Sequence, residues 1–337
     1  MKEEKEAEED SPLKILEWIK SNLKYIFIFG GLIIALIIFV IVLSYFNNPD
    51  DSVEITICGD GTAFNKCSLK KPYFCAEGKL VESASLCGCS EGLSQEENLC
   101  ISRYQTNPKN ITLKYILRGE QKEINFTVYG GMTEYISELP KSIFYLEGAN
   151  RSRADFKLRN INEKEQRELF LPLLTKIQNI EKNKEEQARI AISIVQNIPY
   201  GNSEKIVNVK STKLNYSRYP YEVLYDLQGV CGEKTELLAF LLNEIGYGVV
   251  LFYNPLENHE SLGIKCHLEH SFFESGYCFV ETTGPSIITD SQITYSGGLK
   301  LSSMPEIIPL FEGDSLGDDL YEYKDAGDWM NIRNKLE

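Results

Sequence analysis

The feature that most constrains this chain is an apolar stretch near its start. Residues 25–46, YIFIFGGLIIALIIFVIVLSYF, contain no Asp, Glu, Lys or Arg. At about 1.5 Å per residue, a helix of this length crosses a hydrocarbon core of roughly 30 Å. A secretory signal has an apolar core of only about 7–15 residues and ends in a small-residue cleavage site, which is missing here. Residues 25–46 are therefore predicted to be an uncleaved transmembrane helix in contact with membrane lipid.

Positive charge is distributed unevenly around this helix. Three lysines lie shortly before it: Lys14, Lys20 and Lys24. The first Lys or Arg after it is Lys66. Because Lys and Arg mark the cytoplasmic side of a span, residues 1–24 are predicted to be a cytoplasmic tail. The chain is then a single-pass membrane protein whose linker, residues 47–56, leads into an extracytoplasmic domain.

Charge also excludes one class of partner. The chain carries 49 Asp and Glu against 35 Lys and Arg, a formal net charge of -14. Binding to nucleic acid requires basic patches that neutralise phosphates, and the sequence contains none. Four N-x-S/T sequons agree with an exported glycoprotein: Asn110, Asn125, Asn150 and Asn215.

Six of the nine cysteines lie within 43 residues: Cys58, Cys67, Cys75, Cys87, Cys89 and Cys100. Their spacing lacks the paired C-x2-C knuckles of structural zinc sites, which makes a metal the weaker alternative. A region this short has too little core to fold without covalent staples. Residues 57–101 are therefore predicted to be a Cys-rich module with three disulfides, whose pairing the spacing leaves open.

Three further cysteines lie far downstream. Cys266 and Cys278 bracket a short loop, and whether they pair stays open at this point. If they do, Cys231 is left without a partner in this group of three. An odd cysteine in an oxidising compartment is either a free thiol or an intermolecular link.

The region 102–160 alternates apolar and polar residues in two runs around Gly119, which predicts a β-hairpin. The inward positions are Ile111, Leu113, Tyr115 and Leu117, then Ile124, Phe126 and Val128. A short helix ending before Pro140 should follow. No function beyond packing or positioning is assigned to this region.

The next region, residues 161–300, changes to helical periodicity. One helix ends at Pro199, and a second begins at Cys231 and ends at Gly246. Three strand-like runs follow, YGVVLFY, HESLGIKC and GYCFVETT, which together indicate an α+β fold. Residues 301–337 are predicted to be an acidic, solvated tail, because their spacing does not fit an EF-hand calcium loop.

Cys231 is the candidate nucleophile, because a helix N-terminus stabilises a thiolate and offers peptide N–H groups to an oxyanion. Such a thiol needs a base and a group that orients the base. His259 opens a strand, whereas His267 and His270 lie in a loop, so His259 is the preferred base. A hairpin in which His259 faces Glu281 would supply the acid. In that register Cys266 faces Glu274, so a bridge to Cys278 needs the loop to fold back.

These segments resemble a known family. YPYEVLYDLQGVCGEKTELLAFLLNEIGYGVVLF, ENHESLGIKC and GYCFVETTGP resemble the core of the transglutaminase-like superfamily, in particular its membrane-anchored prokaryotic members. The resemblance runs from roughly Gln187 to Pro285 and implies a papain-like α+β core with a Cys-His-Asp triad. Cys231, His259 and Glu281 match the nucleophile, base and acid. The acid is usually Asp, and the H-A-W signature of many members is missing, so His267 and His270 remain candidates.

The resemblance implies acyl transfer through a thioester on Cys231, with no metal and no cofactor. Attack by water would make the protein a peptidase or amidase, and attack by an amine would make it a transglutaminase. Its substrates would be proteins or peptides at the cell surface. The alternative from another class is a catalytically silent extracellular binding module with the same fold.

Overall fold

A computed structural model of the protein describes residues 12–46, 57–141, 152–209, 212–295 and 300–336. The chain divides into two compact units, Met1–Ile55 and Thr56–Glu337. The first contains helix α1 (Pro12–Phe46). Within α1, Lys20–Val40 is long and apolar enough to cross a membrane, as judged from length and composition. This agrees with the predicted span, whereas the predicted linker 47–56 lies outside the described residues.

The second unit begins with the Cys-rich module. It comprises β1 (Tyr73–Ala76), β2 (Lys79–Glu82), α2 (Ala84–Cys87), β3 (Ser94–Glu96) and β4 (Leu99–Ile101). Its disulfides are Cys58–Cys75, Cys67–Cys87 and Cys89–Cys100. The prediction of three disulfides is confirmed, and all six thiols are consumed, so none of them is available to a metal.

A long hairpin follows, with strands β5 (Pro108–Leu117) and β6 (Glu120–Tyr129) turning at Arg118 and Gly119. The predicted inward side chains are all buried, including Leu113 and Val128. Helix α3 (Gly130–Glu138) then ends before Pro140 as predicted.

After α3, five helices in the described residues precede a four-stranded antiparallel sheet in the chain. They are α4 (Arg153–Ile161), α5 (Lys164–Ile180), α6 (Lys184–Asn197), α7 (Pro220–Asp226) and α8 (Cys231–Ile245), with the short strands β7 (Ile206–Val209) and β8 (Thr212–Asn215) between α6 and α7. The sheet contains β9 (Val249–Asn254), β10 (His259–Lys265), β11 (Tyr277–Val280) and β12 (Glu306–Phe311), in the order β11-β10-β9-β12. The α+β class is thus observed, and α8 packs against both α6 and the sheet.

The predicted solvated tail is wrong. Strand β12 pairs with β9, and helix α9 (Tyr321–Leu336) follows it. The physical reason lies in EIIPLF, where Ile308 and Leu310 alternate inward on an edge strand that tolerates Pro309. The acidic residues around this short apolar run masked its period, and the core extends beyond residue 300.

The predicted register of β10 and β11 is also wrong, by two residues. Leu262 lies opposite Val280 and Lys265 opposite Tyr277, so His259 is not directly opposite Glu281. In the observed register Cys278 lies opposite Ile264, two residues from Cys266, and Cys266 and Cys278 form a disulfide with their Cα atoms 5.7 Å apart. A shift of two residues keeps every side chain on its predicted face, because strand side chains alternate with period two.

Candidate active site

Cys231 is the first residue of α8, is half-buried and is the free cysteine of the chain. The peptide N–H groups of the first helical turn have no partner within a helix, and the helix dipole adds partial positive charge there. Both effects would stabilise a negative charge that develops beside Cys231 during a reaction.

A buried salt bridge fixes this first turn. The Glu233 carboxylate accepts a hydrogen bond from the peptide N–H of Val230 at 3.0 Å. It also accepts from the peptide N–H of Arg218 at 2.7 Å and from its guanidinium at 3.1 Å. Because Arg218 and Glu233 are both buried, the turn that carries Cys231 is rigidly held.

A second buried charge cluster brings α8 against β10. Lys157 of α4 lies 2.8 Å from Glu236 of α8 and 2.7 Å from Glu260 of β10. A Cβ atom added at Gly232 would lie 2.2 Å from the Glu260 carboxylate. A side chain at position 232 would therefore have to displace the Glu260 carboxylate, and this close approach places Cys231 beside the start of β10.

The start of β10 carries His259, the predicted base. His259 is buried, and its Nε2 lies 2.9 Å from Oε2 of Glu281, which follows β11. The imidazole also lies close enough to the Cys231 side chain for that side chain to raise the pKa of His259. Since Glu281 occupies Nε2, Nδ1 is the ring nitrogen left for the thiol. The structure thus brings the three predicted site residues together in the order nucleophile, base and acid.

Both carboxylate oxygens of Glu281 accept hydrogen bonds. Oε1 accepts hydrogen bonds from the peptide N–H groups of Thr282 and Thr283 and from the Thr283 hydroxyl, at 2.9, 2.7 and 2.6 Å. Oε2 accepts from His259 and from the Tyr295 hydroxyl. Burial alone would raise the pKa of Glu281, but these donors and the charge of His259 lower it. The longer Glu side chain is thus accommodated because it folds back onto the backbone that follows it.

The proton is correspondingly held on the imidazole. Burial lowers the pKa of His259, but hydrogen bonds to Cys231 and Glu281 and their charges outweigh it and raise the pKa to about 9. His259 is therefore an imidazolium at neutral pH, which can stabilise a thiolate and later donate a proton.

This shift makes stability depend on pH. The pKa of His259 rises from 6.5 to about 9 on folding, so its contribution is fully present below pH 6.5 and is lost as the pH rises through about 9. We expect the free energy of unfolding, measured with urea, to fall over this interval by roughly a few kcal/mol. In His259→Gln the decrease should be smaller. An equal decrease in both proteins would contradict the ion pair.

Tyr295 covers this pair, and sequence analysis did not identify it. Its ring centroid lies 4.7 Å from that of His259, and its hydroxyl donates to Glu281 Oε2 at 2.5 Å. Burial and the charge of Glu281 raise the pKa of the Tyr295 phenol, so the hydroxyl keeps its proton and acts as a donor. Tyr295 lies in a segment without periodicity, where no sequence signal marks it.

Removing the Tyr295 hydroxyl should weaken the site without abolishing it. In Tyr295→Phe the ring still shields His259, so we expect the rate at which iodoacetamide alkylates Cys231 at pH 6 to fall about threefold to tenfold. Tyr295→Ala should lower the rate further, because it also admits water. The matched control is Tyr323→Phe, which removes a tyrosine hydroxyl that donates to the Gly317 carbonyl and not to Glu281. Equal rates in Tyr295→Phe and this control would contradict the assigned role.

The rival histidines lie elsewhere. They follow the other end of β10, roughly 20 Å along the strand from His259 at about 3.3 Å per residue. His267 contacts Asp318 at 3.1 Å, and the His270 ring stacks on Tyr323 with centroids 3.8 Å apart. Neither is placed to serve Cys231.

Two tyrosines at the start of α7 belong to the core. Tyr219 and Tyr221 are buried, and the Tyr221 hydroxyl accepts a hydrogen bond from the peptide N–H of Tyr129. Over the described residues, no three His, Cys, Asp or Glu side chains are grouped so that they could hold a metal ion.

The structure is similar to several solved proteins. Calcium-bound LapG from Legionella pneumophila is 15% identical to this chain, and the similarity covers 52% of this chain and 98% of LapG with a TM-score of 0.28. A candidate protease from Parabacteroides distasonis is also 15% identical, over 62% of this chain and 41% of its own, with a TM-score of 0.27. No protein-family profile matches the chain, and no curated protein matches it significantly. These similarities are distant, so what Cys231 can do follows from the geometry of its own site.

Proposed function

We propose that this protein is a membrane-tethered enzyme of transglutaminase-like fold that transfers acyl groups through a thioester on Cys231. The observation that carries the proposal is the buried, hydrogen-bonded His259–Glu281 pair, whose imidazole pKa is raised by a free cysteine at a helix N-terminus. A buried inert cysteine needs neither a protonated histidine nor a carboxylate that orients it.

The residues support a complete acyl transfer. The Cys231 thiolate attacks an amide carbonyl, and peptide N–H groups of the first turn of α8 stabilise the oxyanion. The C–N bond then breaks as the His259 imidazolium donates its proton to the leaving amine. The neutral imidazole next takes a proton from water or an amine, which attacks the thioester and releases the thiolate. Glu281 stabilises the imidazolium at both stages.

The location is part of the proposal. A helix long enough to span a membrane precedes a domain with four disulfides, and disulfides persist in oxidising compartments. The lysines before the helix favour a cytoplasmic N-terminus. The substrates would accordingly be proteins or peptides at the cell surface.

The reaction type is tested with the full chain in detergent and glutamine-containing peptides, with and without an amine donor. Ammonia release, peptide cleavage and amine incorporation each identify a different acceptor or bond. The enzyme proposal fails if none of the three products forms and iodoacetamide alkylates Cys231 no faster than it alkylates the thiol of glutathione. A catalytically silent binding module is then favoured.

A further inference from the structure

A short segment, residues 198–202, runs beside the N-terminus of α8. Tyr200 forms an isolated parallel bridge with Gly229, two residues before Cys231. The peptide N–H of Gly229 donates to the carbonyl of Pro199, and the N–H of Gly201 donates to the carbonyl of Gly229, both at 3.2 Å. One edge of the segment is therefore attached to the chain that leads directly to the nucleophile.

Two buried cations hold the same segment from inside the protein. Lys234, one turn after Cys231, is fully buried and donates to the carbonyl of Ile198 at 2.5 Å. The Arg218 guanidinium donates to the carbonyls of Gly201 and Asn202 at 3.3 and 3.1 Å. Together with the bridge, these contacts bind four of the five carbonyls in residues 198–202 and make the segment rigid.

Tyr200 is the exception. In a parallel bridge of this pattern, the N–H and C=O of the middle residue point away from the partner strand. Neither group of Tyr200 has a hydrogen-bond partner anywhere in the described ranges, and the residue is 59% exposed. Partial burial and the charge of Cys231 both raise the pKa of its phenol, consistent with a position close to the thiol.

We propose that Tyr200 binds the extended main chain of a peptide substrate through its outward N–H and C=O, and so presents the scissile carbonyl to Cys231. This inference rests on the proposed acyl-transfer function and names its substrate class. One donor and one acceptor that have no partner among the described residues match one residue of an extended peptide, which offers the complementary pair. A small amide or ester without a following peptide N–H cannot make both bonds.

The substrate side is tested with acetyl-Ala-Ala-Gln vinyl sulfone and three analogues, each N-methylated at one residue. The full chain in detergent is used, and the second-order rate of Cys231 modification is measured by mass spectrometry. N-methylation at one residue should lower the rate about tenfold, because it removes the N–H that donates to Tyr200. Equal rates for all four peptides would overturn the inference.

The protein side is tested with two variants of Tyr200. Tyr200→Pro removes the N–H that the fold does not use, and Tyr200→Ala is its control, because it loses the ring but keeps the N–H. The ratio of the vinyl sulfone rate to the iodoacetamide rate should be about tenfold lower in Tyr200→Pro than in Tyr200→Ala. Near-UV circular dichroism verifies that both variants fold.

The two possible failures are distinguishable. Suppose that iodoacetamide modifies Cys231 faster than it modifies glutathione, while the two Tyr200 variants have the same ratio of vinyl sulfone rate to iodoacetamide rate. In that case the proposed peptide site is wrong and the proposed function stands. If Cys231 reacts no faster than glutathione with either reagent, the proposed function fails and this inference fails with it.

Discussion

Replacing His259 with alanine is expected to slow the alkylation of Cys231 by iodoacetamide at pH 6 at least about a hundredfold. At this pH a free thiol is almost entirely protonated and reacts slowly, so fast alkylation requires a neighbouring cation. His259 supplies that cation, since its pKa is raised to about 9 by Cys231 and Glu281 against the effect of burial. The rate is measured by mass spectrometry of the peptide that contains Cys231.

The matched control is His267→Ala, which removes an exposed histidine that contacts Asp318. Its rate should equal that of the unchanged protein. If both variants react alike, or if His259→Ala reacts as fast as the parent, Cys231 is not paired with His259 and the triad is contradicted.

Replacing Glu281 with glutamine should have the second largest effect, a decrease of about tenfold to a hundredfold in the rate of acyl transfer near pH 8. Glutamine has nearly the same shape but no charge, so the pKa of His259 should fall from about 9 toward its ordinary value. The alkaline limb of the pH–rate profile for acyl transfer should consequently move to lower pH, since His259 would lose its proton earlier.

The control for this change is Glu257→Gln. Glu257 lies two residues before His259, and its carboxylate accepts hydrogen bonds from Ser302 and Ser303, so it tests local structure without touching the imidazole. A profile that moves equally in both variants, or moves in neither, would contradict the role of Glu281.

Much of this site could be predicted because it depends on local patterns and on strand alternation. The cysteine at a helix start, the histidine opening a strand and the acid after the next strand are each local signals. The prediction that His259 and Glu281 lie together was correct although the predicted register of β10 and β11 was wrong by two residues. A shift of two residues leaves both side chains on the same face of the sheet. The three disulfides of the Cys-rich module were predictable as a class from composition, but their pairing depends on the folded chain.

Other parts depend on contacts between distant segments, which periodicity does not report. Strand β12 joins the sheet about fifty residues after its partner β9, and its short apolar run is surrounded by acidic residues. The cluster of Lys157, Glu236 and Glu260 joins three separate elements. Tyr295 reaches Glu281 from a segment without regular structure. In the sequence, each of these residues resembles an ordinary surface residue, because its contacts come from segments that are distant in the chain.

Whether Cys231 forms an acyl-enzyme can be tested with p-nitrophenyl acetate, without knowledge of the natural substrate. The thiolate would displace p-nitrophenolate from the ester carbonyl and leave an acetyl thioester. We predict a burst of p-nitrophenolate at pH 6 equal to the amount of protein, with the acetyl group on Cys231 by peptide mass spectrometry and removed by hydroxylamine. No burst, with Cys231 unmodified, would contradict an acyl-enzyme on Cys231.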